Sequence, residues 1–176
     1  WSPPVSDGSG RDRSILQRAL TLFRDAGYEL RGTALVDRRT GQPFTFEIMV
    51  TRDEERLALA FASSLRRAGI TVRVRVNDAV QYEGRRLSYD FDMIQARWDQ
   101  SLSPGNEQAF YWGSAAANDP GTRNYMGVKS PAVDAMIAAL LNMNSREEFV
   151  AAVRALDRVL ISGHYVVPLF HLPNQW

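Results

Sequence analysis

The residues best equipped for chemistry lie in the segment Arg97-Trp98-Asp99-Gln100-Ser101-Leu102-Ser103-Pro104-Gly105-Asn106, with Glu107 to Gly113 directly behind it. An indole, a carboxylate, hydroxyls and amides crowd together there. Aromatic faces beside sparse hydrogen-bonding groups are what small-molecule and peptide clefts are built from. Trp98, Asp99, Gln100, Ser101, Leu102, Ser103 and Asn106 are therefore the candidate ligand-binding residues. The competing reading of the aromatics is lid packing over a core, and it is preferred for Phe110 and Trp112.

Other chemistries fare worse. Asp99 and Glu107 form a glycosidase-like pair only if the fold holds them roughly 5 to 10 Å apart. Nothing in the spacing enforces that, so two solvated loop acids is the preferred reading. The histidines, His164 and His171, stand seven apart around a predicted strand and need not share a face. No metal site is expected from them, and no cofactor. The chain has no cysteine, which removes disulfides, thiolate metal sites and thiol catalysis. No G-x-S-x-G elbow, H-E-x-x-H pair or phosphate-cradling glycine loop occurs. The chain is read as no enzyme, with neither a catalytic nor a metal residue. Arg66, Arg67, Arg73, Arg75, Arg85 and Arg86 read as solvated helix ends and outer strand positions rather than a phosphate surface.

The bulk numbers are those of an ordinary soluble globular protein. The chain has 176 residues, 45% hydrophobic and 23% charged, with a net charge of +1. Near balance of charge excludes the basic footprint of a nucleic-acid binder. No apolar run reaches the roughly 20 residues of a membrane span. The chain opens at Trp1 and stops at Trp176 straight after an apolar run, which predicts a piece of a longer protein.

The elements that must position the loop follow from periodicity. Residues 1–10 are Pro/Gly/Ser linker, and residues 11–176 read as one domain. Helical spacing predicts a helix over 12–26, stopped at Gly27. Strands are predicted over 30–37 and 44–50, joined by the turn at 38–43. Thr51-Arg52-Asp53-Glu54 matches a capping box and opens a helix to about Ala68, stopped by Gly69. Alternation from Ile70 to Val76 predicts a strand parallel to the one over 44–50, a βαβ unit. A short helix is expected within 77–88, and a strand over 89–96 that ends on Trp98. Ser130-Pro131 and the capping box Ser145-Arg146-Glu147-Glu148 start two further helices. Tyr165 to Leu172 reads as a closing strand. The fold class is α/β, a mixed sheet with a βαβ unit and flanking helices.

The residues also carry a resemblance. Asn124-Tyr125-Met126-Gly127-Val128-Lys129-Ser130-Pro131-Ala132-Val133-Asp134-Ala135-Met136-Ile137 resembles the N-x-x-G-x-x-S/N-P-x-V-D-x-L-I signature of the family 5 (peptide/nickel class) solute-binding proteins of ABC importers. Leu65 to Val72 resembles the family's "L…GI-x-V" joint. Ala19 to Tyr28 resembles its "A-x-x-L-L-x-E-A-G-Y" helix, and Val167 to Phe170 its "I-P-L-Y/F" strand. The S-L-S-P-G-N-E and F-Y-W-G-S-A-A runs are most similar to the oligopeptide receptors that include microcin C binders.

The resemblance implies the C-terminal lobe of a type II periplasmic-binding-protein fold, with a second lobe closing on the ligand. It implies a non-catalytic periplasmic receptor, a peptide or peptide-like ligand, an ABC permease as partner and a monomeric full-length protein. In oligopeptide receptors a W-x-x-D element sets an Asp against the ligand's N-terminal amine. Trp98 matches the Trp, the Asp position falls on Ser101, and a carboxylate stands early at Asp99. Either Asp99 substitutes or the ligand lacks a free amine. The alternative to a receptor is a carbohydrate-active enzyme or sugar-binding module, with Trp98, Tyr111 and Trp112 as platforms and Asp99 and Glu107 as acids.

Overall fold

The computed structural model describes residues 4–5, 7–9, 11–98 and 103–169. They fall into two compact units, one within residues 4–98 and one within 103–169.

In the first unit, α1 (Arg13–Asp25) starts where Asp12 accepts the backbone N–H groups of Ser14 and Ile15, a side-chain N-cap. Leu16 and Phe23 lay its apolar side on a core of Leu35, Ala68 and Ile70. Phe23, Tyr28 and Phe44 close that core, with Tyr28 edge-on to both phenylalanines, the phenylalanines tilted to each other, and ring centroids 5.2–6.2 Å apart.

The strand expected over 30–37 is instead a hairpin, β1 (Tyr28–Arg31) and β2 (Ala34–Asp37), paired antiparallel. Gly32, at φ +63°, turns the chain between them. The βαβ unit is present. β3 (Thr45–Val50) leads through α2 (Glu55–Arg66) to β4 (Thr71–Val76), and the two strands pair in parallel from Thr45 opposite Thr71 to Val50 opposite Val76. Ala58 of α2 packs on Ile48 and Val50.

The capping box at Thr51 forms by half. The Glu54 carboxylate accepts the N–H and hydroxyl of Thr51, but the helix itself begins at Glu55 without a side-chain cap. A turn over residues 52–54 takes up the difference.

α3 (Ala79–Leu87) follows, N-capped by Asp78. The strand expected over 89–96 contracts to β5 (Met93–Ile94), parallel to β3, in the order β4-β3-β5. Two features account for this. Tyr89 sits in the left-handed region at φ 56°, which breaks an extended run. The Asp92 carboxylate then takes the Glu47 backbone N–H at 2.9 Å, a donor that a longer strand would have paired through its own backbone.

The second unit opens with α4 (Glu107–Trp112) and a 3-10 turn, Ala115–Asn118. α5 (Pro131–Leu141) and α6 (Arg146–Ser162) bury Val133, Ile137 and Leu140 of one helix and Ala152 and Leu156 of the other, residues three and four apart along each. Both starts are capped as the sequence predicts: Ser130 Oγ accepts from Val133 N and Ser145 Oγ from Glu148 N. Residues 165–169 of the expected closing strand are not in a strand, and its remainder lies outside the described residues.

Candidate functional site

Three parallel strands deliver their carboxyl ends to one edge of the sheet. Thr51 follows β3, Asn77 follows β4 and Gln95 follows β5, and from there the chain runs to Trp98. In open α/β sheets, the crevice outside the carboxyl ends of the strands is where ligands bind. Trp98 is half-buried at this edge.

The segment leading to it is anchored. Tyr82 of α3 donates its phenol hydrogen to the Gln95 carbonyl at 3.2 Å. Burial, with the nearby Glu54 charge, pushes that phenol up to about 12, so it remains a protonated donor at any physiological pH. The sequence reading missed Tyr82, since the polar stretch 77–88 shows only a short helix and not which side chain turns toward β5.

Asp99, Gln100, Ser101 and Leu102 lie outside the described residues. Ser103 and Asn106 are exposed and belong to the second unit, in the turn that starts α4. Asn106 stands at the helix N-cap but makes no side-chain capping bond. Glu107 organises this turn: its carboxylate accepts the Gly105 N–H at 2.8 Å and the Gln108 side-chain N–H at 3.3 Å.

These bonds, the Gly105 N–H foremost, hold the Glu107 carboxyl below its ordinary value. A depressed pKa suits neither a general acid nor half of a protonated pair. Its contribution to stability is complete above the ordinary carboxylate range and fades as pH falls through the lowered folded value. Glu107→Gln is expected to lower the melting temperature slightly at pH 7. The gap to wild type should close in acid, measured by thermal melts from pH 7 to pH 3.

Of the aromatics of α4, Trp112 packs as expected and Phe110 does not. Tyr111 and Trp112 are buried at 7% and 8% exposure, while Phe110, expected to pack, is 43% exposed. A helix turns successive residues by about 100°, so one face of so short a helix enters the core and its neighbour cannot follow. Tyr111 and Trp112 are therefore core residues of this unit and not exposed stacking platforms. His171 lies outside the described residues, and among the described ones no group of His, Cys, Asp or Glu could hold a metal ion.

Comparison with known proteins gives the class. The chain belongs to the bacterial extracellular solute-binding proteins, family 5 Middle, whose family model matches residues 2–120. A putative binding protein of Brucella melitensis is 52% identical over all of this chain and 29% of its own length. The probable peptide-binding protein YejA of Agrobacterium fabrum is 43% identical over 96% of this chain and 28% of its own. The chain thus spans under a third of the length of the curated relatives it matches. Among solved structures, the oligopeptide-binding protein AppA of Bacillus subtilis, in complex with a nonapeptide, matches with a TM-score of 0.73 at 17% identity, over 85% of this chain and 30% of that one. The fold is thereby the mixed α/β fold of type II periplasmic binding proteins. No helix among the described residues is long and apolar enough to cross a membrane.

Proposed function

We propose that this chain is part of the ligand-binding lobe of a periplasmic receptor that delivers oligopeptides or peptide-like compounds to an ABC permease. The observation that carries this reading is Trp98, held by the Tyr82-anchored segment at the carboxyl edge of a parallel sheet, in a chain of the solute-binding family. The peptide-binding name of the Agrobacterium fabrum relative supports the ligand class.

The receptor is non-catalytic and monomeric. Residues 11–176 contribute to its C-terminal lobe, with residues 1–10 as the linker. Trp98 gives an aromatic face to the ligand, and Asp99 to Ser103 with Asn106 read its backbone through carboxylate, amides and hydroxyls. Asp99 stands in for the amine-binding carboxylate displaced from position 101. Closure around the ligand is a population shift that the permease senses.

Calorimetry on the full-length protein with a peptide panel tests the site. Trp98→Ala is expected to weaken binding about tenfold, the loss of one aromatic contact. Asp99→Asn is expected to weaken free-amine peptides and spare N-acetylated ones. Wild-type affinity in both variants would remove these residues from the site.

A further inference from the structure

The sheet has a second polar feature, away from its carboxyl edge. A cavity of about 530 Å³ opens against β3 and β4, between residues 45–47, the arginines of β4, and the stretch from Arg85 to Asp92. That volume lies within the range of small-molecule sites. Helix α2 does not form this wall. It packs on Ile48 and Val50, whereas Thr45 and Glu47 belong to the other side of the strand.

The charges here are arranged unevenly. Strand register sets Glu47 directly opposite Arg73. Cross-strand neighbours of opposite charge normally pair. The Glu47 carboxylate instead meets Arg85 at 3.3 Å and Arg75 at 3.6 Å. Arg85 is further held by Asp90 at 2.9 Å, and Asp92 is engaged by the Glu47 backbone N–H. Among the described residues no carboxylate pairs with Arg73, although it lines the cavity beside Arg75. Arg75 keeps over half of its side chain exposed.

The other wall is aromatic. Tyr89 and Phe91 stand 6.5 Å apart across tilted rings and both line the cavity. Tyr89 takes a left-handed backbone conformation, uncommon for a bulky residue. Such outliers persist where the surroundings impose them, and they gather at binding sites. A guanidinium fork beside an aromatic wall suits a flat oxyanion carried on an apolar body.

We infer that this cavity is an anion site, separate from the Trp98 edge, in which Arg73, seconded by Arg75, takes the carboxylate or phosphate of a small organic anion against Tyr89 and Phe91. The arginine run is then more than a solvated face. Arg85 and Glu47 form a fixed brace, and Arg73 is the recognition group.

The test is an NMR titration of the arginine Nε–H signals of the full-length protein, at constant ionic strength. Inorganic phosphate, acetate, benzoate and chloride are added in separate arms. A saturable shift at Arg73 with phosphate or with the carboxylates is expected, and the tighter arm identifies the headgroup. Benzoate should exceed acetate if the aromatic wall takes part. Arg73→Gln should weaken binding about tenfold, the loss of a charge-assisted fork. Arg73→Lys should fall between it and wild type. Neither variant should alter the peptide affinity that Trp98→Ala lowers, which keeps this site distinguishable from the proposed function. Responses no more saturable than chloride in every arm, or an unchanged affinity in Arg73→Gln, would overturn the inference.

Discussion

Replacing Asn124 by Ala is expected to destabilise the chain by about 3 kcal/mol, a fall in melting temperature of roughly 6 to 12 °C for a domain of this size. Asn124 is fully buried and uses both ends of its amide. Its Nδ2 donates to the carbonyls of Gly113, at 2.9 Å, and Val128, at 3.0 Å, while its Oδ1 accepts the Val128 N–H at 2.8 Å. One side chain thus closes the loop 124–128 on itself and ties it to the end of α4. Truncation leaves the Val128 carbonyl and N–H without partners in a site that excludes water, and each such group costs about 1–3 kcal/mol; the Gly113 carbonyl loses one donor and keeps the Ala116 N–H at 3.1 Å. Asn124→Asp is the sharper variant. It keeps the acceptor for Val128 but points a carboxylate oxygen at two carbonyls, so it should be at least as damaging as Ala at neutral pH. Protonation restores one donor, so acid should narrow the Asp deficit and leave the Ala deficit in place. Thermal melts of both variants at two pH values check this. A loss confined to the Ala variant, with the isosteric Asp variant near wild type at neutral pH, would mean that lost packing volume, not hydrogen bonding, sets the effect.

Asn124 also shows where the sequence was readable and where it was not. It was legible as the first residue of a family-like signature, which gave membership but no role. The role depends on Gly113, eleven positions upstream and joined to it through tertiary structure alone. Features set by near neighbours were legible: Ser130 and Ser145 as caps, Gly27 and Gly69 as stops, and alternation in β3 and β4 with a helix between them. The strand before Trp98 was over-read. Its apolar run is real, but the Asp92 side chain takes the Glu47 N–H and the ladder shortens to Met93–Ile94. Composition likewise cannot separate buried Trp112 from exposed Phe110, because the helical phase of α4 decides that. The candidate site was legible as a loop of suitable chemistry. Its Tyr82 anchor was not, since that contact reaches thirteen positions along the chain.

The most damaging single change expected in the first unit is Gly69→Ala, at about 3 to 4 kcal/mol. Gly69 ends the joint between α2 and β4 at φ +83°, where a side chain alone costs about 1–2 kcal/mol. The second contribution is a close approach. The Leu35 N–H donates to the Gly69 carbonyl at 2.8 Å, which draws the β1–β2 hairpin over the glycine. A Cβ there would stand 2.7 Å from the Leu35 backbone nitrogen and 2.7 Å from Leu30 Cδ2. The leucine tip can move, but the backbone can yield only by lifting Leu35, itself 1% exposed, out of the core it shares with Ala68 and Ile70. Gly27 supplies the control. Its φ is +93°, yet nothing lies within 4 Å of its virtual Cβ, so Gly27→Ala should cost only the conformational part, about 1 kcal/mol. The difference between the two variants isolates the approach of the hairpin. Adding Leu30→Ala to Gly69→Ala removes the side-chain clash and leaves the backbone one, so it should recover less than half of that difference. Urea unfolding of the three variants and wild type measures it, with the Leu35 amide expected to exchange faster in Gly69→Ala. Equal losses at Gly27 and Gly69 would mean that backbone conformation alone is at work and that the hairpin gives way freely.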